Sequence, residues 1–313
     1  MTDRMVYVAG PHACDDTTII TNTSGIHGGV YYAGETKPHR PRDLPQDRIM
    51  HLTLKRDISD RRDYLLSQPR QALPTQIDYT KDMTPVKDQR RLGSCVAFAA
   101  CAMKEWQERK EHRAEVAEGK DDHRDGKIYD LSEQWIYYMC KKIDPWPNQE
   151  GTSIRYAMKV LNKIGVPTEK GWPYNDLDVG KPKSWAKLVA RWALGGSYYR
   201  VSSMAQLRKA LTDMGPIPIG VGVYEEFFFV GKDGIVADPR RPHICYGGHA
   251  ICAVGYDDRR GLVKFKNSWG PRWGQNGYGY LSYRYITNYM WDAWACNDIS
   301  VTTDMLKGKY VGL

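Results

Sequence analysis

Residues 93–98 read Gly93-Ser94-Cys95-Val96-Ala97-Phe98. Two small residues lead to a cysteine. From Cys95 to about Arg109, Phe98, Ala102 and Trp106 fall on one helical face, so the cysteine opens the predicted helix. The positive end of a helix dipole favours thiolate over thiol at that position. The small residues before it let a polypeptide backbone come close. A structural cysteine needs neither feature. Read alone, the stretch leaves a catalytic and a core cysteine both open, because free cysteines are common buried residues.

On the C-terminal side, the charged stretch from Glu108 to Lys127 is expected as helix end and solvated loop. Ser132 then caps a second helix, with Leu131 and Ile136 placed as a hydrophobic staple. A third helix begins near Thr152 and carries Ile154, Ala157, Met158, Leu161 and Ile164 at helical spacing. Gly165 and Pro167 stop it. A short helix over Met204–Met214 ends at Gly215-Pro216. Strands are expected over 217–223, 249–256, 261–267 and 277–283, separated by Gly- and Asp-rich turns. Helices first and strands after is the α+β order.

On the N-terminal side, residues 1–73 are polar and broken by Pro38, Pro41, Pro45 and Pro69, with Pro74 directly after. That composition predicts an extended arm without a core of its own. Thr17 to Val30 suits a short hairpin, and Lys37 to Pro45 suits an extended strand across a peptide-binding groove. The chain divides at about 73, with a helical half over about 74–180 and a strand-rich half over about 181–313.

Two further motifs carry chemistry. Gly247-Gly248-His249-Ala250 puts a histidine at a strand start with open space beside it. Lys266-Asn267-Ser268-Trp269-Gly270 puts an asparagine at a strand end next to a tryptophan. An asparagine there can orient an imidazole while the indole excludes water. Separately, each also reads as ordinary structure.

Together with the cysteine, these motifs resemble the papain-like cysteine peptidases. Seven blocks stand in the family's order: PVKDQRRLGSCVAFA (85–99), LSEQ (131–134), EGTSIRYAMKVLNKIGVP (150–167), GWPY (171–174), GPIPIGVGVY (215–224), GGHAICAVGYDD (247–258) and FKNSWGPRWGQNGYGYLSY (265–283). The resemblance covers roughly residues 73–300. It implies a two-lobed α+β fold: a helical lobe, then an antiparallel β-barrel-like lobe, with the active-site cleft between them. It implies Cys95 as nucleophile, His249 as general base and acid, and Asn267 as the residue orienting the imidazole. Gln89 and the Cys95 N–H match the oxyanion donors, and Trp269 matches the indole covering the His–Asn bond. Gly151, Gly248, Ala250 and Gly220 match positions that receive substrate. The resting form implied is a thiolate–imidazolium pair.

The departures also inform. Leu92 stands where secreted members usually carry a cysteine, Val96 replaces the usual aromatic, and no helical inhibitory pro-region is recognisable. These features resemble the disulfide-poor branch found in bacteria, archaea and their viruses. The expected activity is endopeptidase hydrolysis through a thioester, with the arm lying either over the chain's own cleft or on a neighbouring subunit. The alternative is an assembly component, for example of a virus particle, with activity secondary or directed at cell-wall peptides.

Composition narrows the partners. Apolar residues at 42% and charged residues at 26% exclude wholesale disorder and a coiled coil. Lys and Arg exceed Asp and Glu by 45 to 37, a net +8, but acids interrupt nearly every basic cluster, so no specific nucleic-acid partner is expected. No apolar run approaches a membrane span and no signal leader is visible, which points to the cytoplasm or a virus particle. Seven cysteines without a CxxC pair predict no metal, no cofactor and no disulfide scaffold.

Overall fold

The computed structural model describes residues 20–22, 29–31, 51–119, 130–190, 193–240 and 244–298. Lys37–Pro45, expected as a groove-spanning strand, lies outside them. Strand β1 (Ile20–Asn22) pairs antiparallel with β2 (Gly29–Tyr31), the hairpin expected from Thr17–Val30. Strand β3 (Gln76–Asp78) precedes the long helix α1 (Cys95–Ala117). That helix runs beyond the expected Arg109, and its last turns are tied to the segment after β3: Arg109 donates to Met83 O at 2.8 Å and Arg113 pairs with Asp82 at 2.6 Å. Helix α2 (Glu133–Ile143) starts at Ser132, whose hydroxyl accepts the Trp135 N–H at 3.1 Å. Helix α3 (Ile154–Lys163) follows, then the single turn α4 (Ala186–Val189).

The second half is sheet-rich: β4 (Gly195–Arg200), α5 (Met204–Asp213), β5 (Ile217–Val223), the turn α6 (Glu225–Phe228), β6 (Gly247–Asp257), β7 (Leu262–Lys266), β8 (Tyr278–Ser282), α7 (Tyr283–Tyr289) and β9 (Met290–Asp298). The antiparallel sheet runs β4-β9-β5-β6-β7-β8, with β3 added beside β6. Among the described residues the sheet is open rather than closed into the expected barrel. Strands β4 and β9 were not among the expected strands, although β9 lies between β4 and β5.

Strand β6 explains where the site sits. Its alternate residues Ala250, Cys252 and Val254 join the core of α1, α2 and α3, while Ile251, Ala253 and Tyr256 join the core of the sheet with α5 and α7. A strand buried on both faces reads as a continuous apolar run, as AICAV does. The start of β6 therefore opens on the seam between two cores, beside the N-terminus of α1.

Candidate active site

Cys95 is the first residue of α1 and is wholly buried. His249 enters β6 two residues from its start, and Asn267 follows β7 directly. The pairing of β6 with β7 brings the last two together: His249 Nε2 lies 2.8 Å from Asn267 Oδ1. The Ser268 N–H also donates to that oxygen at 2.8 Å, which fixes the asparagine amide. The Trp269 ring covers the imidazole, with centroids 4.8 Å apart, and Phe228 stacks on the indole.

Gln89 reaches the same place through paired loops. Its N–H donates to Ser268 O at 2.9 Å, and Gly270 N–H donates to Lys87 O at 3.1 Å. The Gln89 side chain is oriented at both ends. Ser268 Oγ donates to Oε1 at 2.7 Å, and Nε2 donates to Leu92 O at 3.1 Å. An amide nitrogen has two hydrogens, so one remains for another acceptor. Ser268 thus holds both Gln89 and Asn267, a role the motif reading missed.

Behind these residues lies a buried ionic cluster. Lys87 Nζ contacts Glu105 of α1 at 3.0 Å and Glu133 of α2 at 2.7 Å. Glu105 also accepts from Thr84 Oγ1 and, at 3.0 Å, from the Leu131 N–H. Lys266 Nζ donates to Thr84 Oγ1 at 2.9 Å, and its burial pulls the ammonium below its ordinary range. Burial also opposes the Lys87 charge, but Glu133 and Glu105 outweigh it and hold the group charged.

In front lies the arm. Thr53 bridges to Gly248, and the Leu54 N–H donates to Gly248 O at 3.1 Å. The Lys55 N–H donates to Thr152 O at 3.0 Å, and Thr53 Oγ1 donates to Gly93 O at 3.3 Å. Gly151 has φ +78°, and a Cβ there would lie 1.8 Å from Thr53 O, so only glycine admits the arm. Leu54, buried, comes within 2.5 Å of where a Gly220 Cβ would stand. Trp291, on the strand that was not foreseen, would crowd any side chain at Gly248. Ala250, opposite Gly220 in the sheet, lies in the same core as Leu54. Three of the four expected substrate positions, Gly151, Gly220 and Gly248, therefore lie against residues 53–54.

This enclosure changes the sulfur. Burial pushes the Cys95 thiol up to about 11, with backbone N–H groups of Ala250, Val96 and Cys95 pulling the other way. Burial thus opposes the expected thiolate–imidazolium resting form. Desolvation outweighs the helix dipole. The described Cys101, Cys140, Cys252 and Cys296 are buried and free, whereas Cys245 is disulfide-bonded, a bridge not expected from the cysteine spacing.

On the other side of Trp269, a groove of about 350 Å³ is lined by Asp88, Phe228, Trp269, Arg272 and Trp273. No helix among the described residues is long and apolar enough to cross a membrane.

Residues 73–293 match the family described as papain family cysteine protease. An uncharacterized peptidase C1-like protein of Acanthamoeba polyphaga mimivirus is 31% identical over 228 residues, covering 68% of this chain and 70% of the relative. A cathepsin L-like peptidase of Aedes aegypti is 30% identical over 218 residues, covering 66% of this chain and 58% of the relative. The crystal structure of xylellain, a cysteine protease from Xylella fastidiosa, superposes with a TM-score of 0.68 at 28% identity, over 84% of this chain and all of that one. The expected α+β architecture has these counterparts.

Proposed function

The chain belongs to the papain family of cysteine proteases, hydrolases that act on polypeptides, and from that premise we propose an endopeptidase working through Cys95, His249 and Asn267. The observation that carries this is the His249–Asn267 contact of 2.8 Å beneath Trp269, beside a helix that begins at Cys95.

Asn267 Oδ1 accepts the Nε2 proton, so the other ring nitrogen, Nδ1, is the one that takes the thiol proton. The thiolate attacks a peptide carbonyl and forms a C–S bond. The charge passes to the carbonyl oxygen, where the Cys95 N–H and the second Gln89 amide hydrogen stabilise it. Losing one such donor typically costs about 2.7–4 kcal/mol. Collapse breaks the C–N bond, and Nδ1 returns its proton to the leaving amine. Water, deprotonated by the same nitrogen, then hydrolyses the thioester.

Residues 51–66 restrain this reaction. Their main chain takes the acceptors at Gly248 and Thr152 that an extended substrate would use, and Leu54 fills the pocket at Gly220. Burial of the covered sulfur also works against its thiolate. The anchor reading, in which the arm docks on a neighbouring subunit, draws no support from these residues, which sit on the chain's own cleft.

Cys95→Ala should abolish hydrolysis of a peptide substrate and leave the melting temperature within a few degrees. Residual hydrolysis would sink the assignment. His249→Ala should reduce turnover more than Asn267→Ala, since it removes the proton carrier itself.

A further inference from the structure

Three residues beyond Leu54, the arm places Asp57 in a fitted niche. Trp294 Nε1 donates to Asp57 Oδ2 at 2.5 Å, and the Arg155 N–H donates to Oδ1 at 3.3 Å. The Asp57 N–H itself donates to Asp292 Oδ2 at 3.0 Å. The two donors belong to the body of the protein. Trp294 is wholly buried, and Arg155 lies in the first turn of α3. The N-cap of α3, Ser153, makes no side-chain cap bond, so the helix leaves an amide for an outside carboxylate.

The charges agree with the donors. Arg155 pairs with Asp63, and Arg200 lies 3.4 Å from Asp292 and 3.9 Å from Asp63. Asp57 and Asp63 both leave with the arm. The niche would then hold two guanidinium groups against the single carboxylate of Asp292, and is net positive. Asp292 is not an obstacle, because it binds the N–H of the incoming residue rather than its side chain.

We propose that this niche is a substrate subsite for an acidic residue three positions from the side chain seated at Gly220, and that Asp57 occupies it as an internal mimic. This rests on the reading of the cleft as a substrate cleft. An extended segment rises about 3.3 Å per residue, so any polypeptide held at Gly248 and Thr152 reaches Trp294 about 10 Å further on. Charge-assisted bonds from a buried indole and a helix-terminal amide select a carboxylate over an amide.

The main comparison varies the ligand on one protein, so that both peptides meet the same fold. The full chain carrying Asp57→Asn, whose arm has a weakened hold, is titrated with fluorescein-labelled, C-terminally amidated peptide Leu-Thr-Leu-Lys-Arg-Asp-Ile-Ser, which is residues 52–59, and with its Asn counterpart. The Asp peptide should bind at least tenfold tighter by anisotropy, and Trp294→Phe should narrow that gap. Equal affinities, or no binding of the Asp peptide, overturn the proposal. In parallel, fluorogenic peptides with Asp moved one to five residues from a leucine should show the highest kcat/KM at three. A flat series also overturns it. A peptide that binds with the Asp preference but is never cut supports the subsite and overturns the catalytic reading instead.

Discussion

The rear of α1 and the arm across the cleft are held by the same kinds of group with opposite consequences. At the back, Lys87 meets Glu105 and Glu133, both at most 2% exposed. Lys87 also reaches the exposed Asp130 at 2.6 Å, so one end of the cluster meets solvent, while the two buried acids depend on their protein partners. At the front, Asp57 and Asp63 meet Trp294, Arg155 and Arg200, but these acids belong to a segment that can leave and be solvated as it goes. The main-chain bonds of Leu54 and Lys55 are likewise bonds that a substrate can make in their place. Ion pairing therefore fixes the rear of α1 and leaves the cover of the cleft exchangeable.

The largest expected effect is at the back. Glu105→Ala strips partners from Lys87, Thr84 and the Leu131 N–H together. Breaking a buried pair from one side costs about 3–5 kcal/mol, to be read as a fall in the urea midpoint. A loss below about 1 kcal/mol, the usual value of a surface pair, would erase the distinction between front and back.

The next effect is at the front. Leu54→Ala empties the pocket at Gly220 and removes about 2 kcal/mol or more of burial. The open arm should then be roughly thirtyfold more populated, and Cys95 should alkylate faster by a similar factor. An unchanged rate would mean that the arm does not limit access to the thiol.

This contrast also divides what the sequence discloses. The cysteine, histidine and asparagine are legible because each sits in a short motif whose glycines and tryptophan serve it locally. The arm's register is not legible. Asp57 meets Arg155 and Trp294, 98 and 237 residues away, and no local pattern joins them. Strand β9 was missed because MWDAWACND puts aromatics on successive turns of the pattern, and its Asp292 reads as a surface residue until β5 and the arm bury it. Helix α1 outran its expected end because its last turns are tied to residues far off in sequence, Arg109 to Met83 O and Arg113 to Asp82, which a local charge pattern does not disclose.

The smallest expected effect concerns pH at the far end of the arm. Burial, and then the Asp57 carboxylate, push Asp292 up to about 6. Arg200 of β4 and Arg56 of the arm pull it down, and burial raises Asp63 next to it as well. Undocking removes Asp57 and lets water reach Asp292, so its affinity for a proton falls toward that of an ordinary carboxyl. The docked state therefore binds the proton more tightly. Its advantage is complete below the ordinary carboxylate range, fades as pH rises through about 6, and is absent above. Because Arg200 stays with the body and offsets part of the shift, the change in arm opening should be only severalfold. Alkylation of Cys95 depends on pH through the thiol itself, so the useful quantity is the rate in the unmodified chain divided by the rate in Asp292→Asn, which mimics the protonated acid. That ratio should rise severalfold from pH 5 to pH 7 and then level off. A ratio that stays flat, or falls, would mean that the arm's acidic seam is held without regard to the proton on Asp292.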